Sequence, residues 1–496
     1  MESSAQFQKR NHFFSFWRDF CCALNMKKTY VALFLSICYV SITFAQEMVL
    51  KKGAIMENLP INDSISETFS LYLPTYFDTN KEWPLLLVFD LQAKEKQALS
   101  MFLNAAEEEG YVLAAPKILD SISLSANMVT TDATINRIFD LLPIQKQSIY
   151  GAGASSGARF ANLVPIFIRK VKGAISIGSS VANTELFNAK QPFHFIGIVG
   201  KDNFNYTSML AVEKILDRLR FPNQILLHEG KGDWPDLNYL KKSLQLFKLA
   251  GMAKNYIPKD SIYIESAYQE DLIKVGQLKN MRKLLLAEQY MGEMMSMYGP
   301  HKNLDSLRLV LRDLRRDKIY RSMKRSENTA FLKESLLKED YQYYMDEDFV
   351  SHNFNNLGWW NYQFEEINKF ISGTDVYEKE MGHRLLGFIN ALAIDNINYV
   401  QSQDLIDEDA LAFLYMLKTI LEPNNFDYYL KVVSLSSKNE DYGTALFYLE
   451  EALKNGFKDK EKLYGLEDTA LFRITPEFNK LVSKYLKDAR YEIIEE

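Results

Sequence analysis

Cysteine is nearly missing from this 496-residue chain. The three that occur, Cys21, Cys22 and Cys38, all lie upstream of Ala45. Residues 46–496 can therefore form no disulfide and no thiolate metal site. No cysteine stands just beyond Ala45 to carry a lipid anchor. Histidine is also scarce, at six residues, so every base that could serve a nucleophile can be named. Charge of one sign is not in excess: the formal net charge is −6. A nucleic-acid surface needs a clustered basic face. The one arginine-rich stretch, with Arg308, Arg312, Arg315 and Arg316, is interleaved with acids and reads as a solvated helix. There is no glycine-rich phosphate loop and no H-E-x-x-H pattern, so neither a cofactor nor a metal is expected. Hydrophobic residues make up 47% and charged residues 25%, enough for real cores in a globular chain.

The amino-terminal region is patterned like a targeting segment. Met26-Lys27-Lys28 is basic, residues 30–44 are largely apolar, and Thr43-Phe44-Ala45 supplies small residues at the first and third positions of a cleavage site. Roughly 15 apolar residues is short for a membrane span and suits a secretory signal. Residues 26–45 are therefore expected to be a signal peptide, with residues 1–25 an extension upstream of the true start. The mature chain would begin at Gln46, keep no membrane anchor, and be periplasmic or secreted.

From 48 to 254, short apolar runs alternate with amphipathic stretches. Strands are predicted at 66–72, 84–90, 111–115, 148–150, 173–177, 193–199 and 224–227. Helices are predicted at 94–110, 131–141, 156–168, 206–219 and 237–250. Strands without polar alternation are buried on both faces, and their alternation with helices implies a three-layer, mostly parallel α/β sheet domain. Past Pro258 the strand-like runs vanish. Residues 258–496 read as an all-α domain, with the domain boundary near 251–262. Tyr442 to Leu453 places small and large apolar residues three and four apart before Asn455-Gly456. That is the pattern of a tetratricopeptide-like (TPR-like) hairpin, although a non-repeating bundle would read the same way. A protein partner through this helical half is one expectation.

Gly153-Ala154-Ser155-Ser156-Gly157 follows a predicted strand and precedes a predicted helix. So tight a turn lifts the Ser155 hydroxyl above the sheet and aims a helix N-terminus at whatever it attacks. The N–H of Ser156 would be one oxyanion donor. Together with the apolar strand at Trp83-Pro84 and the segment Gly230…Trp234-Pro235, this turn resembles bacterial esterase-like and peptidase-like α/β hydrolases over residues 65–250. The resemblance implies an α/β-hydrolase fold with Ser155 as nucleophile and a small ester or peptide substrate. It implies Asp202 as the acid, in the loop after the strand at 193–199, and a second oxyanion N–H at Leu91, after the strand at 84–90. The base should precede Trp234-Pro235 by two residues, and that position holds Gly232.

The nearest histidine is His228, at the strand end. Four residues of strand displace it by roughly 13 Å, against the ~3 Å a proton transfer needs. His228 reads equally as a structural strand residue, and His194 as packing. Two functions stay open: a serine hydrolase using Ser155, Asp202 and His228, or a non-catalytic hydrolase-fold protein that binds a partner.

Overall fold

The computed structural model describes residues 50–62, 65–181, 183–229 and 234–487. The expected signal peptide and Gly232 lie outside the described residues. Eight strands form one sheet in the order β1-β2-β4-β3-β5-β6-β7-β8. They are β1 (Ile55–Asn62), β2 (Ile65–Tyr72), β3 (Trp83–Phe89), β4 (Val112–Pro116), β5 (Ile144–Ala154), β6 (Gly173–Ile177), β7 (His194–Gly200) and β8 (Asn223–His228). β1, β2 and β4 pair antiparallel, and every pairing from β4 to β8 is parallel. This is the α/β-hydrolase strand order, so the expected fold class holds.

The helices between strands are α1 (Glu95–Glu109), α2 (Leu124–Leu141), α3 (Ser156–Phe167), α4 (Tyr206–Arg218) and α5 (Leu237–Ala253). Successive strand residues point to opposite faces, and β3 shows the layering directly. Leu86 and Val88 join the cluster that holds Phe102 of α1 and Phe247 of α5. Phe89 points the other way and meets Phe160 of α3 edge-on, with ring centroids 5.0 Å apart. Apolar side chains on both faces explain why β3 lacks polar alternation.

The second half is helical. It comprises α6 (Ser261–Asn280), α7 (Leu284–Tyr298), α8 (Asp305–Arg316), α9 (Lys318–Val350), α10 (Leu357–Ser372), α11 (Val376–Gln401), α12 (Glu408–Leu421), α13 (Phe426–Lys438), α14 (Tyr442–Lys454) and, after two short helical turns, α15 (Pro476–Leu486). In α14, Ala445, Leu449 and Ala452 are fully buried among residues of α13 and α15. From Ser261 onward every described element is helical. The buried core does not stop there: one cluster runs from Tyr72 to Tyr320, and separate clusters begin at Ala330 and Tyr429.

The join explains this continuity. β8 is the sheet's last strand, and its outer edge would leave backbone groups unpaired. Helix α7 covers that edge with side chains. Glu293 Oε1 accepts the N–H of Ile225 at 3.2 Å, and Gln289 donates to the Ile225 carbonyl. Gln224 reaches Ser296 at 3.3 Å, and Lys283 pairs with Glu229 just past β8.

Candidate active site

β5 ends in Gly153-Ala154 and hands the chain to α3 through Ser155, which has φ 50° and ψ −117°. Positive φ is costly for a residue with a side chain and persists only where its surroundings enforce it. Two glycines do so here. A Cβ at Gly153 would lie 2.3 Å from the Gly157 carbonyl, and one at Gly157 would lie 2.2 Å from the Phe89 oxygen. Any larger residue would push β5, α3 and β3 apart. Ser155 N–H is held by the Ile177 carbonyl at 3.2 Å, and the side chain is left exposed. α3 begins without a side-chain cap, which suits Ser156 as a donor.

The cleft over Ser155 is small, about 180 Å³, and Ser156 shares it. Asp90, Gln92, Lys94 and Gln97 line it from the loop after β3 and the start of α1, and Trp234 closes it. Asp90 Oδ1 accepts the N–H groups of Gln92 and Lys94, both at 2.9 Å, and so shapes that loop. Leu91 does not line the cleft. It is buried, and its carbonyl accepts the N–H of Asp120 at 3.0 Å. None of the described residues lining the cleft is a histidine.

Asp202 sits where the strand order requires, in the turn after β7, and is half-buried. The helical half clasps this turn. Arg384 of α11 donates to the Lys201 carbonyl at 2.8 Å, and Lys201 pairs with Glu380 at 3.5 Å. Arg384 also pairs with Glu334 of α9 at 2.7 Å, both almost fully buried. Burial raises the Glu380 carboxyl above its ordinary range, and the charge of Asp202 adds to that rise, against the pull of Lys201 and Arg384.

His228 ends β8, is 6% exposed and pairs in register with Gly200. Ala154, Ile177, Ile198 and Leu226 stand abreast across four strands. Three strand spacings of about 4.8 Å separate the ends of β5 and β8, or about 14 Å. The imidazole lines a second, larger cavity and lies 5.5 Å from the Tyr239 ring. Burial lowers its pKa, which keeps it neutral at neutral pH, although Asp236 opposes the shift. Thus Ser155 and Asp202 come just after β5 and β7, His228 is the last residue of β8, and Ser155 and His228 do not line one cavity.

The other described histidines are engaged elsewhere. His194, inside β7, meets Gln224, and burial pushes its pKa down to about 4. His301 meets the Leu249 carbonyl at 3.0 Å, and His352 meets Asp407 at 2.9 Å. His383 lies in α11 and does not line the Ser155 cleft. Sequence reasoning missed Asp90, Lys94 and Trp234 as cleft residues. Asp90 alone carried a local signal, as a short acid two and four residues before the N–H groups it caps. Among the described residues no cluster of His, Cys, Asp and Glu could hold a metal. None of the described helices is long and apolar enough to cross a membrane.

No protein-family model and no curated protein matches the chain. Among solved structures it is similar to Est1E from Butyrivibrio proteoclasticus, at 12% identity over 40% of this chain and 100% of that one, with a TM-score of 0.31. It is similar to esterase B from Lactobacillus rhamnosis at 11% identity over 47% of this chain and 98% of that one, TM-score 0.33. A candidate dipeptidyl aminopeptidase IV from Bacteroides ovatus matches at 12% identity over 39% of this chain, TM-score 0.32, and the chain spans only 35% of that protein. In all three the shared part is under half of this chain.

Proposed function

We propose that this chain is an exported, non-catalytic α/β-hydrolase-fold protein, retaining the nucleophile turn without a general base and acting by binding. The observation that carries this reading is the company Ser155 keeps: none of the described residues lining its cleft is a histidine, and His228 faces another cavity three strands away. A serine hydroxyl is a weak nucleophile without an adjacent base. The sequence adds that Gly232 occupies the base position of the resembled hydrolases. Signal cleavage before Gln46 would release the chain to the periplasm or the medium. The helical half, in which α13 and α14 would form the TPR-like hairpin, would offer the surface for a protein partner.

The test is labelling by a fluorophosphonate. Wild-type protein should label at Ser155 slowly or not at all, and Gly232→His should raise the rate, since a general base contributes about 10²–10⁴-fold. Brisk wild-type labelling that His228→Ala abolishes would sink the reading. One observation favours that second reading, an active esterase or peptidase: the strained Ser155 backbone is retained with both glycines that enforce it. Mature protein should begin at or near Gln46, and membrane-bound protein still carrying Met26 would refute cleavage.

A further inference from the structure

The cavity that takes His228 is the larger of the two, at about 780 Å³. Small-molecule sites fall at roughly 300–1,000 Å³. It lies where β8 ends, between the start of α5, the second half of α6 and the start of α7. This is the carboxyl end of a parallel strand, the side on which open α/β sheets take ligands.

Its walls combine two chemistries. Trp234, Tyr239 and Tyr290 present rings, beside the neutral imidazole of His228. Between them is polar lining with both donors and acceptors. At the inner end Lys242 pairs with Asp271, each under a tenth exposed. Asp271 also accepts the hydroxyls of Tyr290 at 2.7 Å and Tyr298 at 2.6 Å. Asn238 and Gln277 contribute amides nearer the mouth.

Charge decides the ligand class. Among the described residues, four lysines and four carboxylates line the cavity, so their formal charges balance. The lysines are also largely engaged: Lys242 with Asp271, Lys283 with Glu229, and Lys241 with Glu108 at 2.6 Å. An extended peptide would dock by adding a strand to the β8 edge. That edge is taken by Glu293 and Gln289 of α7. The remaining fit is a neutral molecule with flat C–H faces for the rings and hydroxyls that both give and accept hydrogen bonds.

We infer that this cavity, bounded by Trp234, Tyr239 and Tyr290 over the Lys242–Asp271 pair, is a binding site for a short neutral saccharide. The site does not depend on the catalytic status of Ser155, which labelling reads separately. Among the described residues, Trp234 is the one that lines both spaces.

The experiment is calorimetric titration of the mature full-length chain with maltotriose, cellotriose, xylotriose and triacetylchitotriose. Acetyl-trialanine-amide serves as a peptide contrast. At least one trisaccharide should bind saturably, with an affinity unchanged by salt, because a neutral ligand gives screening nothing to act on. Tyr239→Ala should weaken binding by about tenfold or more. Asn238→Ala, at an exposed position that cannot unfold the chain, should weaken it several-fold. Three results each overturn the inference: no trisaccharide binding up to about 10 mM, tight binding of the capped peptide instead, or trisaccharide binding that ignores both substitutions.

Discussion

The two halves of the molecule start their helices differently. In the α/β half, α1, α3, α4 and α5 begin without a side-chain cap, and only α2 has one, from Ser123. In the helical half, side chains of Asp260, Asp317, Asp375, Asp407, Asn425, Asp441 and Thr475 accept the first N–H groups of their helices. A parallel strand delivers the chain to a helix start in a fixed place, so the α/β half can leave those donors open. With no sheet to aim the chain, the helical half marks seven of its ten named helix starts with an acid, amide or hydroxyl, and only α7, α8 and α10 begin without one. At Ser156 an open donor is what a reactive serine would use. The nucleophile turn is therefore built where the sheet does the positioning, and most of the caps lie where no sheet aims the chain.

If that contrast is right, the most damaging single change should strike the strand-to-helix turn of the α/β half. Gly157→Ala places a methyl 2.2 Å from the Phe89 oxygen, a backbone atom that cannot step aside. Overpacking commonly costs 1–3 kcal/mol, and here a backbone clash is added, so a loss of about 3 kcal/mol or more is expected. Urea denaturation reads it directly. A loss under about 1 kcal/mol would mean that the turn is loose and that the sheet does not hold it.

The join between the halves should respond to pH. Burial, with Glu213 alongside, raises the Glu293 carboxyl well above its ordinary value of 4.5. Burial, then Asp217, also raises Glu213, against the Glu293 hydrogen bond and Lys214. A raised carboxyl gives its full stability below about pH 4.5 and loses it as pH climbs through the folded value. Wild-type protein should therefore lose stability from pH 5 to 8. Glu293→Gln keeps an acceptor for Ile225 N–H and a donor for Glu213. It should flatten that slope and melt higher than wild type at pH 8. Glu293→Ala instead leaves a buried N–H unpaired, a cost of about 1–3 kcal/mol. Equal slopes for Gln and wild type would remove the carboxyl pair from the join.

The caps give a smaller, paired test. Asp441 Oδ1 accepts the Thr444 N–H at 3.0 Å, and Asp441→Ala should cost about 1 kcal/mol. Asp236, before α5, makes no capping bond, and Asp236→Ala should stay within about 0.5 kcal/mol. Equal costs at the two sites would erase the distinction between the halves.

The same contrast explains what could be read from the residues. The strand at 173–177 is found at those limits, because five apolar or small residues buried on both faces leave no other reading. β1 escaped notice: half of its residues are exposed and only Ile61 is buried, it contains Pro60, and it pairs only with β2 at the sheet edge. β5 begins at Ile144, four residues before the expected start, since Gln145, Lys146 and Gln147 mask it. α2 starts at Leu124 rather than 131 because Ser123, Ser125 and Ala126 carry no apolar period. Ser155 was legible because its turn is local. Trp234 reaches the cleft from far along the chain, and the carboxamide and carboxyl of Gln289 and Glu293 look like any helix surface until β8 is beside them.

The smallest effect should carry the opposite sign and fall in the helical half. Gly276 lies inside α6, and a Cβ there would meet nothing within 4 Å. Glycine in a helix interior loses more backbone freedom on folding than alanine, a penalty of roughly 0.5–1 kcal/mol. Gly276→Ala should therefore stabilise the chain by up to about 1 kcal/mol, seen as a melting point higher by a few degrees. The same glycine-to-alanine change then weakens one half and strengthens the other, depending only on whether a neighbouring backbone stands where the methyl must go. α6 also walls the His228 cavity, so titrations with trisaccharide should be unchanged in this variant. A destabilising Gly276→Ala would show that α6 needs its glycine for a close approach not visible in its packing, and the helical half would then be as tightly constrained as the sheet.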